Sequence, residues 1–308
     1  MSLSFSQVAA LWKADKLQYV KKSTYAVYSQ LCNAYILPAF DRHPLLDEDS
    51  IQAFANSLLN DGYAIKTVKD TMLVLKMLLR FGEKIGAWTH IEFTVRYSSQ
   101  AVGPRNYPTL SDKHLRRLLK YLQNDFSFEN LGILICLHSG LRIGEVCGLQ
   151  WKDLDTTAGV IHVNKTVQRI YISDDDFHEN FVSVDTPKTK SSIRDIPLSK
   201  KVREAIRPFK RVMHPEDYLL SGNRTPMEPR VYRRYFQKLL RELKIPPVRF
   251  HALRHSFATR CIANRCDYKT VSAILGHSSI STTLDMYVHP GFREKKQVID
   301  KMSRILEK

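Results

Sequence analysis

"GVIHVNKTVQRIYI", residues 159–172, decides the fold class. It is rich in Val, Ile and Thr and lacks the three-or-four spacing of an amphipathic helix, so it reads as a strand. Working outward, "NFVSVDTPKTKSSIRDIPLS" (180–199) reads as two more strands joined by a Lys/Ser turn, and "SDDDFHEN" (173–180) as an acidic loop directed away from any phosphate. Almost everything else has helical periodicity. The expected fold is therefore mainly α with a small antiparallel β-sheet, an α+β chain.

The first hundred residues predict helices only. "SFSQVAALWKADKLQ" is one, and "KSTYAVYSQLCNAYILPAF" starts at a Ser23/Thr24 cap and stops near Pro38. "DEDSIQAFANSLLNDG" places acids in its first turn and closes on Gly62. In "KTVKDTMLVLKMLLRFGEKIGAW", Val68, Met72, Leu75 and Leu79 form an apolar stripe. These helices make a compact domain, residues 1–98. "RYSSQAVGPRNYP" (96–108) has no periodicity and supplies a linker at 99–108. A second domain, 109–290, begins with a helix behind Ser111 and returns to helices from Pro229 onward. A tail, 291–308, carries Val298, Met302, Ile305 and Leu306 at helical spacing.

Charge narrows the function. The net charge is +16 over 308 residues, and residues 105–308 hold 36 Lys+Arg against 22 Asp+Glu, whereas residues 1–104 hold 11 against 9. An excess concentrated in one folded segment suits a polyanion, because neutralising phosphates releases counterions. Five cysteines without a CxxC pair argue against a disulfide framework and for a reducing cytosol. No apolar run is long enough to span a membrane, so no membrane partner is expected.

Three segments concentrate chemistry. "LHSGLRIGEVCGLQWKDLD" (137–155) puts Arg142 in the first turn of a helix with Glu145 three residues on, where the carboxylate can fix a guanidinium fork for an anion. "RFHALRHSFATR" (249–260) places His251 and Arg254 on one helix face. His251 and His255 also make an HxxxH pair, but the metalloprotease Glu and a third ligand are missing, so no metal is expected. "SAILGHSSISTTLDMY" (272–287) ends a helix at Gly276, exposes His277 and starts another helix near Ser278 or Ser279 that carries Tyr287.

Two Arg, several His, a Lys and a Tyr without a carboxylate cluster suggest phosphoryl transfer in which cations replace metal ions. Paired guanidinium groups match the non-bridging oxygens of the transition state. A phenol of pKa near 10 becomes a nucleophile when cations favour its phenolate. The resulting phosphotyrosine ester conserves the energy of the broken bond, so neither ATP nor another cofactor is required.

The ordered set "SGLRIGEV", "PKTKSSIRDIPL", "HALRHSFAT", "LGH" and "TTLDMY" resembles the tyrosine recombinase (phage integrase) family across residues 109–290. The resemblance implies that Arg142 and Arg254 clamp the scissile phosphate, that His251 and His277 donate to it or handle protons, and that Tyr287 attacks to form a 3′-phosphotyrosine. It implies a general-acid lysine in a β-hairpin turn, matched by Lys188 in preference to Lys190, and a supporting role for Glu145. It further implies a helical core-binding domain and a catalytic domain closing as a C-shaped clamp on double-stranded DNA with paired inverted core sites. A homo-tetramer on two sites, a Holliday junction, a tail helix docking on a neighbouring protomer and an accessory DNA-bending factor belong to the same expectation. Localisation would be cytoplasmic and nucleoid-associated, and the arm-binding domain of larger integrases looks absent. Two alternatives stand beside integration, excision or inversion: a type IB topoisomerase, which nicks and reseals, and a catalytically decayed DNA-binding regulator.

Overall fold

The computed structural model describes residues 3–41, 47–97, 108–174, 177–187, 190–288 and 292–306. They form two compact units, Met1–Val102 with Ile170–Phe181, and Gly103–Arg169 with Val182–Lys308.

The first unit contains α1 (Phe5–Tyr19), α2 (Lys22–Leu31), a π-helical turn (Cys32–Ile36), α3 (Leu37–Phe40), α4 (Glu48–Asn60) and α5 (Ile65–Lys84). Ser4 caps α1 and accepts the Gln7 N–H, while the Gln7 side chain accepts the Ser4 N–H. The second helix begins earlier than Ser23, at Lys22, and continues beyond Pro38 to Phe40. Pro38 is tolerated because the preceding π turn restarts the ladder, leaving the proline in the first turn of α3, where its missing N–H costs nothing. Trp12, Cys32, Ile36, Ile51, Val68, Leu75 and Leu78 fill the core.

The acidic segment at 173–180 departs from its solvated reading. Asp174 is enclosed in the first unit, where it pairs with the buried Lys13 and accepts from Tyr25 Oη (2.8 Å), Ser29 Oγ (3.1 Å) and Asn33 Nδ2 (3.0 Å). Burial raises its pKa, but the hydrogen bonds from Asn33, Lys13 and Tyr25 and the Lys13 charge outweigh that and hold it below the usual carboxylate value. Ile170, Ile172 and Tyr25 pack beside this network.

The second unit carries α6 (Asp112–Asn124), α7 (Phe128–Ser139), α8 (Ile143–Gly148), β1 (Leu154–Asp155), β2 (Val160–Val163), β5 (Arg194–Pro197), α9 (Lys200–Ile206), α10 (Pro229–Glu242), α11 (Ala252–Ala263), α12 (Tyr268–Leu275), α13 (Ile280–Tyr287) and α14 (Phe292–Leu306). Two longer strands, β3 (Thr166–Asp174) and β4 (Phe177–Asp185), form a sheet of their own. β2 is the centre of an antiparallel sheet in the order β1-β2-β5, with Leu154 opposite Ile161 and Ile161 opposite Ile196. The two strands expected to flank a Lys/Ser hairpin turn are therefore not a pair: β4 belongs with β3 and β5 with β2. Ile196, whose side chain faces the core, completes the β2 edge, and that burial outweighs pairing with the nearest strand in sequence.

α7 is buried on nearly all sides, from Asn130 through Cys136, and forms the axis of this core. No helix among the described residues is long and apolar enough to cross a membrane. On α14, Val298, Met302, Ile305 and Leu306 are all exposed.

Candidate functional site

The site grows from the C-terminal end of α7. Gly140 ends that helix at φ 67°, a conformation that glycine adopts without a Cβ penalty, and a Cβ there would meet Leu275 and Phe257 at under 3 Å. The sharp exit delivers Arg142 to the N-cap of α8. Glu145, in the first turn, reaches back: its Oε2 accepts the Arg142 backbone N–H at 2.8 Å and its Oε1 accepts Arg142 Nη1 at 2.8 Å. Arg142 Nη2 donates to the Gly276 carbonyl at 3.2 Å, which ties α8 to the turn before His277.

Arg194 of β5 completes this arrangement. Its two terminal nitrogens donate to the two Glu145 oxygens at 3.0 Å each, and its Nε donates to the Ile274 carbonyl at 2.6 Å. Burial pushes the Glu145 carboxyl up, but Arg194 and Arg142 together hold it below its ordinary value. One carboxylate thus orients two guanidinium groups. Arg194 lies inside a quoted motif, yet the sequence offers no spacing cue that joins it to Glu145, 49 residues away.

Gly276 ends α12 in the left-handed region at φ 66°, and a Cβ there would lie 3.0 Å from Arg194 Nη1 and from the Ser191 carbonyl. Gly276→Ala is expected to cost about 1–2 kcal/mol through its backbone conformation alone and to push Arg194 off Glu145. Urea unfolding of the variant, compared with the parent, measures the first effect.

Arg254, on α11, is 1% exposed. Its Nη1 donates to the Gly140 carbonyl at 2.9 Å, while its Nη2 is buried without a hydrogen-bond partner among the described residues. Burial, followed by the positive charge of Arg142, lowers its pKa to about 9, so it still carries its proton at neutral pH. His277 follows Gly276 and pairs through Nδ1 with Thr283 Oγ1 at 2.7 Å. Burial and then the charges of Arg254 and Arg142 bring its pKa to about 4. His251, the N-cap of α11, shows an open edge to solvent, yet the protein around the rest of its ring strips away water. That desolvation, with His255, Arg254 and Arg142, lowers its pKa to about 4 as well. Both imidazoles are neutral at pH 7.

Tyr287, the last residue of α13, is mostly buried against Ala258, Val271 and Leu275. Its hydroxyl lies 2.8 Å from His255 Nδ1, and the His255 ring packs edge-on to His251 with centroids 4.6 Å apart. Tyr287 acts electrostatically on Arg254, so the phenol and the arginines share one neighbourhood. Beside them opens a recess of about 410 Å³ whose lining includes Arg142, Thr166, Gln168, Ser192, His277 and Thr282. Arg142, His251, Arg254, His277 and Tyr287 are thus gathered in the second unit. Lys188 lies outside the described residues, as does the side chain of Lys190. His255 enters through its contact with Tyr287, and among the described residues no three His, Cys, Asp or Glu side chains converge as metal ligands.

Comparison with known proteins places the chain in a family. Residues 108–294 match the phage integrase family, and residues 4–59 match its N-terminal SAM-like domain. The chain is 24% identical over 275 residues to a XerC-like tyrosine recombinase of Caldanaerobacter subterraneus, covering 82% of this chain and 70% of that one. It is 25% identical over 325 residues to the ICEBs1 integrase of Bacillus subtilis, covering 99% and 84%. Among solved structures, the Tn1549 transposon integrase in complex with transposon right end DNA shares the fold at a TM-score of 0.78, with 23% identity over 98% of this chain and all of that one. A lambda integrase tetramer bound to a Holliday junction shares it at 0.62, with 17% identity over 94% and 80%. With residues 108–294 spanning more than half of its length, the chain belongs to the phage integrase family of tyrosine recombinases.

Proposed function

We propose that this recombinase cuts and rejoins duplex DNA at specific sites through a 3′-phosphotyrosine formed on Tyr287. The observation that carries the reading is the buried Arg254 nitrogen that lacks a partner among the described residues, next to a second guanidinium held in place by Glu145. Two neighbouring cations in a desolvated setting repel each other and are stabilised by an anion with several acceptor oxygens, as a phosphodiester has.

In this reading Arg142 and Arg254 hold the non-bridging oxygens of the scissile phosphate. Neutral His277 accepts at Nδ1 from Thr283, which leaves its Nε2–H to donate to the same phosphate. His251 presents a second neutral donor. Tyr287 attacks phosphorus, the 5′ oxygen leaves, and Lys188 protonates it as general acid. The 3′ ester keeps the bond energy, so rejoining another strand needs neither ATP nor metal.

DNA complexes of the Tn1549 and lambda integrases support double-stranded DNA as the partner here, and the lambda tetramer supports assembly of four copies on two sites. The exposed apolar stripe on α14 fits docking on a second copy, which would tie cleavage to assembly. The same fold supports a core-binding unit in residues 1–98, a linker at 99–108 and a catalytic unit in 109–290.

The test is covalent capture. With DNA carrying the sites that flank its gene, the protein should yield an SDS-resistant adduct whose DNA-linked peptide contains Tyr287, in EDTA as well as in its absence. Tyr287→Phe should bind the DNA and yield none; an adduct surviving in that variant refutes the reading.

A further inference from the structure

We propose that His255 is the general base that takes the proton from Tyr287. The family reading assigns proton handling to His251 and His277, but His255 is also in contact with the tyrosine oxygen. Its Nδ1 lies 2.8 Å from Tyr287 Oη, within the reach that proton transfer requires. Both residues are less than a tenth exposed, so bulk water competes poorly for the hydroxyl. The edge-on contact with His251 at 4.6 Å fixes the ring plane. Position 255 also follows Arg254 directly, so the helix that supplies a phosphate clamp supplies the base one residue later.

The neighbourhood favours the required protonation state. Burial and then the charge of Arg254 push the His255 pKa down, so its ring enters the reaction neutral, with a lone pair at Nδ1 and the proton at Nε2. The Tyr287 O–H then donates to Nδ1. In the cleavage step that O–H bond breaks, its proton moves to Nδ1, and the oxygen lone pair forms the bond to phosphorus. The bond from phosphorus to the 5′ oxygen breaks with its electron pair, and that oxygen takes a proton from the general acid. Rejoining runs in reverse: a 5′ hydroxyl attacks as its proton passes back to the conjugate base of the general acid, the tyrosine oxygen leaves, and the imidazolium returns its proton to it. No oxidant, reductant or further reactant is involved.

The proposal rests on Tyr287 being the nucleophile, and the experiment separates the two. Single-turnover adduct formation is followed for the parent, His255→Ala and His255→Gln, each with tyrosine or 3,5-difluorotyrosine at position 287. Glutamine can accept the hydroxyl hydrogen bond but cannot take the proton. Both His255 variants are expected to bind DNA normally and to slow adduct formation by about 10²-fold or more. The more acidic difluorotyrosine should restore most of that loss, because it needs less help in deprotonation. A Gln variant that reacts at the parent rate would reduce His255 to a positioning group, and absence of rescue would reduce it to packing; either result overturns the proposal. A parent protein with no adduct at Tyr287 overturns the reading of the site itself and is recognised by that alone.

Discussion

Arg254→Met should lower the rate of DNA cleavage by about 10²–10³-fold without lowering the melting temperature of the free protein. The two halves follow from one observation. Arg254 is buried, with one terminal nitrogen on the Gly140 carbonyl and the other unpartnered among the described residues. An orphaned buried polar group costs about 1–3 kcal/mol, and a similar-sized apolar side chain removes that cost along with the repulsion from Arg142. The opposing loss is one charge-assisted hydrogen bond, about 1.5–3 kcal/mol. These cancel in the free protein, whereas the transition state loses a preorganised donor that nothing replaces. Calorimetry and single-turnover cleavage on the same preparation test both halves. A variant that melts well below the parent would make Arg254 a structural residue.

The second large effect is far from the chemistry. Asp174→Ala should destabilise the first unit by about 3–5 kcal/mol, because it leaves the buried Lys13 ammonium without its counter-ion. Tyr25, Ser29 and Asn33 lose their acceptor in the same step. Double substitution with Lys13→Met should recover much of the loss, since removing both charges leaves an apolar pair in place of an ion without its partner. Urea unfolding of the single and double variants measures the difference. Equal stability of Asp174→Ala and the parent would show that solvent already screens the pair.

These cases show where the sequence was legible. The helices of the first hundred residues, the Ser111 cap, the Gly276 stop and the strand at 159–172 rest on local chemistry, and local chemistry is written in consecutive residues. The set Arg142, His251, Arg254, His277 and Tyr287, which the second unit brings together, could be proposed from sequence because each sits in a short motif with its own spacing. What escaped was contact between distant residues. Nothing in "SSIRDIPL" announces that Arg194 grips Glu145, and nothing in "SDDDFHEN" announces that Asp174 meets Lys13 across 161 positions. His255 was visible as half of an HxxxH pair, but not its contact with a tyrosine 32 residues away. The expected Lys/Ser hairpin failed for a related reason: strand partners are chosen by which faces are buried, and adjacency in sequence is a weaker guide.

The sharing of Glu145 also has a consequence in simple charge counting. Arg142, Arg194 and Arg254 set three positive charges against a single carboxylate, a surplus of two. An intact phosphodiester brings one negative charge and leaves one unmet. Once the tyrosine oxygen has added and its proton has passed to His255, the five-coordinate phosphorus group carries two, which matches the surplus of the guanidinium groups, while the transferred positive charge sits on the imidazolium. If these arginines hold the scissile phosphate, their surplus is matched by the species midway through strand cleavage rather than by the DNA first bound, which is the condition for binding energy to be expressed as rate.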